Sequence, residues 1–286
     1  MAPEDGNPAA QLPRHSELIE RLRRAVEADD EWRTFEVGCS IGRGTADELS
    51  DIDAAIGYAT APNGTSDDER LRDRGRSLVD AAGTVVDVLC HREPAWPPGA
   101  LRFAAEYGNG VQLDLVVLPA ARRPGLPDGS VAIVDKDGVY AQDWRPPVAD
   151  PPDAATARQW TMLGWWLVSD AAKYLRRGSW FEAEARITDA RAHALRLHAA
   201  ARRVPYPSFG LVSLLDFPPF ELPDGLGATY ANPTEPASVL AAAEAVAALL
   251  RTAAADAGGT LGVDLSTPWS SLADQRLAAA GDRRTG

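Results

Sequence analysis

The chain has 286 residues, 45% hydrophobic and 24% charged, with a formal net charge of −12. That size and composition suit one large globular domain or two ordinary ones, each with a real core. The acidity argues against a DNA or RNA partner, which asks for a basic stripe; it serves solubility first and would also favour cationic small molecules. The two cysteines, Cys39 and Cys90, sit in apolar, strand-like contexts at no metal-site spacing, so buried free thiols in a reducing cytoplasm are expected. The opening MAPEDGNPAAQLPRHSEL has no apolar h-region, which predicts no secretory signal, and the apolar runs look shorter than the ~20 residues of a membrane helix.

In chain order, Ser16–Asp30 reads as an amphipathic helix capped by Ser16, with Leu18, Ile19, Leu22 and Val26 on one face. RTFEVGCS is a strand running into glycines, and DIDAAIGY is a second strand. Ser66 is expected to cap a helix that stops at Gly83. TVVDVLC is a third strand, and LRFAAEY and VQLDLVVLP form a hairpin about the Gly108–Gly110 turn. SVAIVDKDGVYAQDW reads as a strand, a tight turn at Asp137–Gly138 and an extended exit. WRPPVADPPDAA packs four prolines and is the predicted linker. Helical patterns follow over Asp153–Arg177, Ser179–Arg203 and Glu235–Ala257. The expected organisation is α+β: a domain over residues 1–148 with a mixed sheet, then an α-helical domain over 149–286.

The chemistry concentrates in GCSIGRGTADELSDIDAAIGY, Gly38–Tyr58. A strand, a glycine-rich turn and a short polar segment aim backbone N–H groups at phosphate; Gly42 and Gly44 remove side-chain bulk, and Ser40 adds a hydroxyl. Asp51 and Asp53 are i and i+2, so their carboxylates share one face of a strand and repel unless a cation intervenes. Hard Mg²⁺ suits such oxygens and bridges to phosphates. Asp114, in the middle of an apolar strand, is the candidate third acid of a two-metal site.

CSIGRGTADELSDID resembles the signature of polymerase-β-type nucleotidyltransferases on Ser40, Gly42, Arg43, Gly44, Ser50, Asp51 and Asp53. It departs at Cys39, where that family has the glycine of a Gly-Ser pair. Asp114 matches the family's later acid, and IVDKDG resembles a segment that follows it in aminoglycoside and lincosamide nucleotidyltransferases. The resemblance implies a cytoplasmic enzyme that moves AMP from ATP, or another nucleoside monophosphate, onto a hydroxyl of a small-molecule acceptor. An aminoglycoside or lincosamide antibiotic is the first such acceptor, hence antibiotic resistance. It further implies that Asp51, Asp53 and Asp114 hold two Mg²⁺ ions, that Asp114 could act as base, and that Ser40, Gly42, Arg43 and Gly44 grip the leaving phosphates. Protein AMPylation of toxin–antitoxin type and a catalytically inactive helical scaffold are the alternatives. No nucleic acid or membrane is expected, and a homodimer is left open.

Other residues have plainer readings. Asp87 is edge-facing, Glu106 and Tyr107 decorate a hairpin, and Asp135 and Asp137 shape a turn. Trp160, Trp165, Trp166 and Trp180 pack the helical half. Glu182 and Glu184 suit a helix N-terminus, with a role as acceptor ligand or base as the sharper reading. Arg186 and Arg191 could pair with those acids or with phosphate.

Overall fold

The computed structural model describes residues 8–59, 68–92, 100–123, 125–144, 152–217 and 221–281. It divides into two compact units, Met1–Pro147 and Val148–Gly286. Ser66 and most of the predicted linker lie outside the described residues.

The first unit is a mixed α+β layer. Its strands are β1 (Trp32–Val37), β2 (Ile52–Tyr58), β3 (Val85–Arg92), β4 (Leu101–Tyr107), β5 (Gln112–Pro119) and β6 (Val131–Asp135), in sheet order β3-β4-β5-β2-β1-β6. All neighbours are antiparallel except the central pair β2 and β5, which run parallel. Alternation divides the sheet into two faces. Phe35, Ile52, Ile56, Phe103, Leu113, Leu115 and Val117 point one way and are almost wholly buried. Each such side chain contributes roughly 1.5–3 kcal/mol by leaving water. Helices α1 (Pro13–Glu27) and α3 (Asp68–Ala82) cover that face, with Leu18, Ile19, Leu22, Val26, Leu78 and Val79 in the same core.

Helix α1 starts earlier than its hydroxyl suggests. Pro13 occupies the first turn, Leu12 is the cap residue, and the Ser16 N–H already donates to Leu12 O at 2.9 Å. Proline suits that position because the first-turn N–H has no helical partner to lose. The strand after Asp137–Gly138 does not extend either. Gly138 takes φ +68°, and the Asp135 carboxylate accepts from the N–H groups of Val139 and Tyr140, both at 2.9 Å, curling the chain into a 3₁₀ turn. Tyr107 is a core residue rather than hairpin decoration: it is 2% exposed and its hydroxyl donates to Val79 O at 2.9 Å.

The second unit is helical: α4 (Ala154–Arg176), α5 (Trp180–Ala201), the short α6 (Leu211–Asp216), α7 (Pro236–Leu261) and α8 (Trp269–Gly281). Asp153 caps α4 by accepting from the Thr156 N–H at 2.7 Å. Small residues line the contacts among α4, α5 and α7, including Ala171, Ala190, Ala194, Ala242, Ala243 and Ala253, which lets the helices approach closely. Helix α7 is long and apolar enough by composition to cross a membrane, contrary to the sequence expectation, and half of its apolar window is buried within this bundle. Trp160 and Trp165 are core residues, whereas Trp166 is 55% exposed.

Candidate active site

The glycine-rich turn is built by three backbone constraints. At the end of β1 the Gly38 N–H donates to Asp53 O at 2.9 Å, tying the turn to the strand that carries the acids. Cys39 then takes φ +50°, and Cys39–Gly42 closes one helical turn (α2), with the Gly42 N–H donating to Gly38 O at 2.9 Å. Gly44 takes φ +70° and donates to Ile41 O at 3.0 Å. The glycines serve different ends. A Cβ on Gly42 would stand 2.2 Å from Gly129 O and 2.8 Å from Val37 O, so Gly42 permits backbone packing. Gly44 faces open space and is required by its left-handed conformation.

Cys39 adopts the left-handed conformation that favours glycine. It is exposed at the head of this turn, not buried in a strand as expected, and Cys90 is half-buried. Its thiol donates to the Asp53 carboxylate. The residue as a whole is exposed, but its sulfur is turned in against Asp53, and desolvation there, followed by that carboxylate's charge, pushes the thiol up to about 12. Ser40 and Arg43 lie on the same turn, Ser40 in its first half and Arg43 at its C-terminal end.

The segment leading into β2 is held by its own polar groups. The Asp47 N–H donates to Ser50 Oγ at 2.9 Å, and the Leu49 N–H to Asp47 Oδ1 at 2.9 Å. His15 of α1, 1% exposed, contacts Ser50 O through Nε2 at 2.7 Å. A carbonyl only accepts, so Nε2 carries the proton in that bond.

On the sheet, Asp53 and Asp114 are direct partners across the parallel β2–β5 pair, and Asp51 precedes Asp53 by two residues. They lie on the face opposite α1 and α3, where Ala104 and Gln112 are exposed and Asp53 and Asp114 half-buried. Burial first, then the like charge of Asp51, pushes the Asp53 carboxyl up to about 6; Asp114 adds to the rise, while the Cys39 thiol and Arg102 oppose it. The Arg102 guanidinium spans both oxygens of Asp114, with Nε to Oδ1 at 2.6 Å and Nη2 to Oδ2. Among the described residues no group of three His, Cys, Asp or Glu side chains converges closely enough to hold a metal ion. Asp114 is engaged instead by Arg102. Arg102 and His15 escaped sequence reasoning. Arg102 has one signal, a cation on the same alternating face of β4 as Glu106, but its partner depends on strand register.

The remaining candidates fall elsewhere. Asp87 is exposed at the sheet edge, and Glu106 accepts from Gln112 Nε2 at 2.9 Å. Asp137 pairs with Arg33. In the helical unit, Glu182 lies in the first turn of α5 and pairs with Arg186 at 3.5 Å, while Glu184 accepts from Thr188 Oγ1 at 2.7 Å. Arg191 is buried and pairs with neither acid; it donates to Thr229 O at 2.7 Å and stacks over Tyr230, 3.9 Å from the ring centroid.

No family model matches this chain, and no curated protein matches it. Among solved structures, an aminoglycoside 6-adenyltransferase from Bacillus subtilis is similar over 92% of this chain and 98% of its own, with a TM-score of 0.42 and 14% identity.

Proposed function

We propose that the first unit is a nucleotidyltransferase that moves a nucleoside monophosphate, AMP from ATP in the first instance, onto a hydroxyl of a small-molecule acceptor. One observation carries the reading: the turn bearing Ser40, Gly42, Arg43 and Gly44 is hydrogen-bonded through Gly38 to Asp53, and Asp53 sits beside Asp114. The glycine-rich turn and the acids are thereby held on one scaffold. The Asp53 carboxyl is raised by burial first and then by the neighbouring Asp51 charge, and the oxygen donors of the two acids suit a hard divalent cation.

Asp51 and Asp53 would hold Mg²⁺, joined by Asp114 once Arg102 releases it. Bound there, the metal would neutralise charge on the phosphates and favour in-line displacement. Ser40 and the backbone of the turn would orient the leaving phosphates, and Arg43 would offset their charge. Asp114 would take the acceptor proton, a task for which a carboxylate held at both oxygens is poorly disposed until Arg102 moves. Glu182 and Glu184 remain candidates for the acceptor side. An aminoglycoside or lincosamide is the acceptor class favoured by the motif resemblance.

The test is pyrophosphate release from ATP and Mg²⁺ in the presence of pooled aminoglycosides, lincosamides and metabolites, with Asp53→Asn as control. Acceptor-dependent release abolished by the substitution supports the reading. Nucleotide binding without release across every pool shifts it to protein AMPylation, and no nucleotide binding at all sinks it in favour of the scaffold.

A further inference from the structure

The helical unit carries a second feature of a different kind. Helices α4 and α8 border a groove of about 650 Å³, within the usual range for a ligand cavity. Its walls include Asp170, Lys173 and Arg176 from α4, Arg177 at that helix's C-cap, and Leu272 and Arg276 from α8. Four cations face one carboxylate there, in a chain whose net charge is −12. Lys173 is neutralised by Asp170 at 2.7 Å. The three arginines have no carboxylate partner among the described residues, and Arg176, Arg177 and Arg276 are all exposed. Arg177 only lies against the Tyr174 ring, 5.9 Å from its centroid.

The helix dipole accounts for basic residues in the last turn of α4. It does not account for Arg276, which belongs to another helix and is not in its last turn. Two helices therefore bring guanidinium groups to one concave surface with no carboxylate partner among the described residues. Exposed cations gathered on one surface give it a local positive potential that draws anions. Guanidinium forks match phosphate oxygens, and several acting together demand more than one negative charge. One to three turns earlier along the same seam, Trp166 of α4 and Trp269 of α8 meet with ring centroids 5.6 Å apart, and Trp166 leaves much of its surface open.

We propose that the α4–α8 groove is a binding site for a compact polyphosphate, held by Arg176, Arg177 and Arg276. The site lies wholly within the helical unit and is independent of the nucleotidyl-transfer reading. The phosphates could be inorganic or could belong to a nucleotide whose base lies against the tryptophan pair.

The experiment is calorimetric titration of the full chain, metal-free and at physiological salt, with inorganic tripolyphosphate and separately with ATP. Arg176→Glu/Arg276→Glu is compared with wild type, with thermal melting to check folding, and Arg176→Gln/Arg276→Gln serves as the milder variant. The expected result is a loss of tripolyphosphate affinity of about tenfold or more with the glutamates and a smaller loss with the glutamines. Equal loss for ATP and a further loss on Trp166→Ala identify a nucleotide; an effect confined to tripolyphosphate identifies an inorganic ligand. Absence of tripolyphosphate binding, or unchanged binding in both arginine pairs, overturns the proposal.

Discussion

Arg102 Nε donates to Asp114 Oδ1 at 2.6 Å, and its second nitrogen reaches the other oxygen, so the third acid of the candidate site is neutralised by its neighbour on β4. Removing that cation leaves a half-buried carboxylate beside Asp53. Arg102→Gln is expected to cost about 1–2 kcal/mol in urea unfolding without divalent metal. The same substitution should tighten Mn²⁺ binding, measured by electron paramagnetic resonance, because Asp114 becomes free to join Asp51 and Asp53. Asp114→Asn in the same background should remove that gain.

The pH dependence of Asp53 has a definite sign. Its carboxyl is raised from 3.8 to about 6 in the folded chain. Folding therefore disfavours its charged form. No penalty exists below pH 4; it grows from pH 4 to about 6 and is complete above. In EDTA, the stability of wild type relative to Asp53→Asn should fall across that window by roughly 1–3 kcal/mol and then level off. A flat difference between the two melting curves from pH 4 to 7 would contradict the assignment.

Cys39 occupies φ +50°. Cys39→Gly relieves the Cβ strain, whereas Cys39→Ala retains it, so the glycine variant should be the more stable of the two by about 1 kcal/mol. Denaturant midpoints measured side by side decide the point.

The two turn glycines should respond unequally. Gly42→Ala drives a methyl group into Gly129 O and Val37 O, a backbone collision that no rotamer relieves. It should destabilise by about 2–3 kcal/mol and weaken nucleotide binding. Gly44→Ala meets no atom within 4 Å and should cost only the left-handed conformation, about 1 kcal/mol. Thermal melts with and without ATP separate the two effects.

Much of this architecture was legible in the residues. Alternation in DIDAAIGY and VQLDLVVLP identified β2 and β5, and the same-face rule placed Asp51 with Asp53. What sequence could not supply was register across strands. The Asp53–Asp114 adjacency and the Arg102–Asp114 pair arise from pairings between distant segments. Helix α8 was missed because STPWSSLADQRLAAAG buries only Ala273, Leu277 and Ala280, a stripe too narrow to stand out. Its omission hid the α4–α8 groove as well. The burial of His15 was equally hidden, since a lone histidine early in an amphipathic helix gives no sign that it reaches a loop 35 residues away.

The parallel pairing of β2 with β5 has a consequence for how the protein comes into being. The β3–β4 hairpin lies between them in the chain but outside them in the sheet, at one edge. A nascent polypeptide that ends before Gln112 contains the whole glycine–aspartate signature and still lacks its partner acid. Joining the two central strands requires a long loop to close, a step that is entropically slow. Competence for chemistry is thus expected late, with completion of the sheet, and short fragments bearing the signature should be inert.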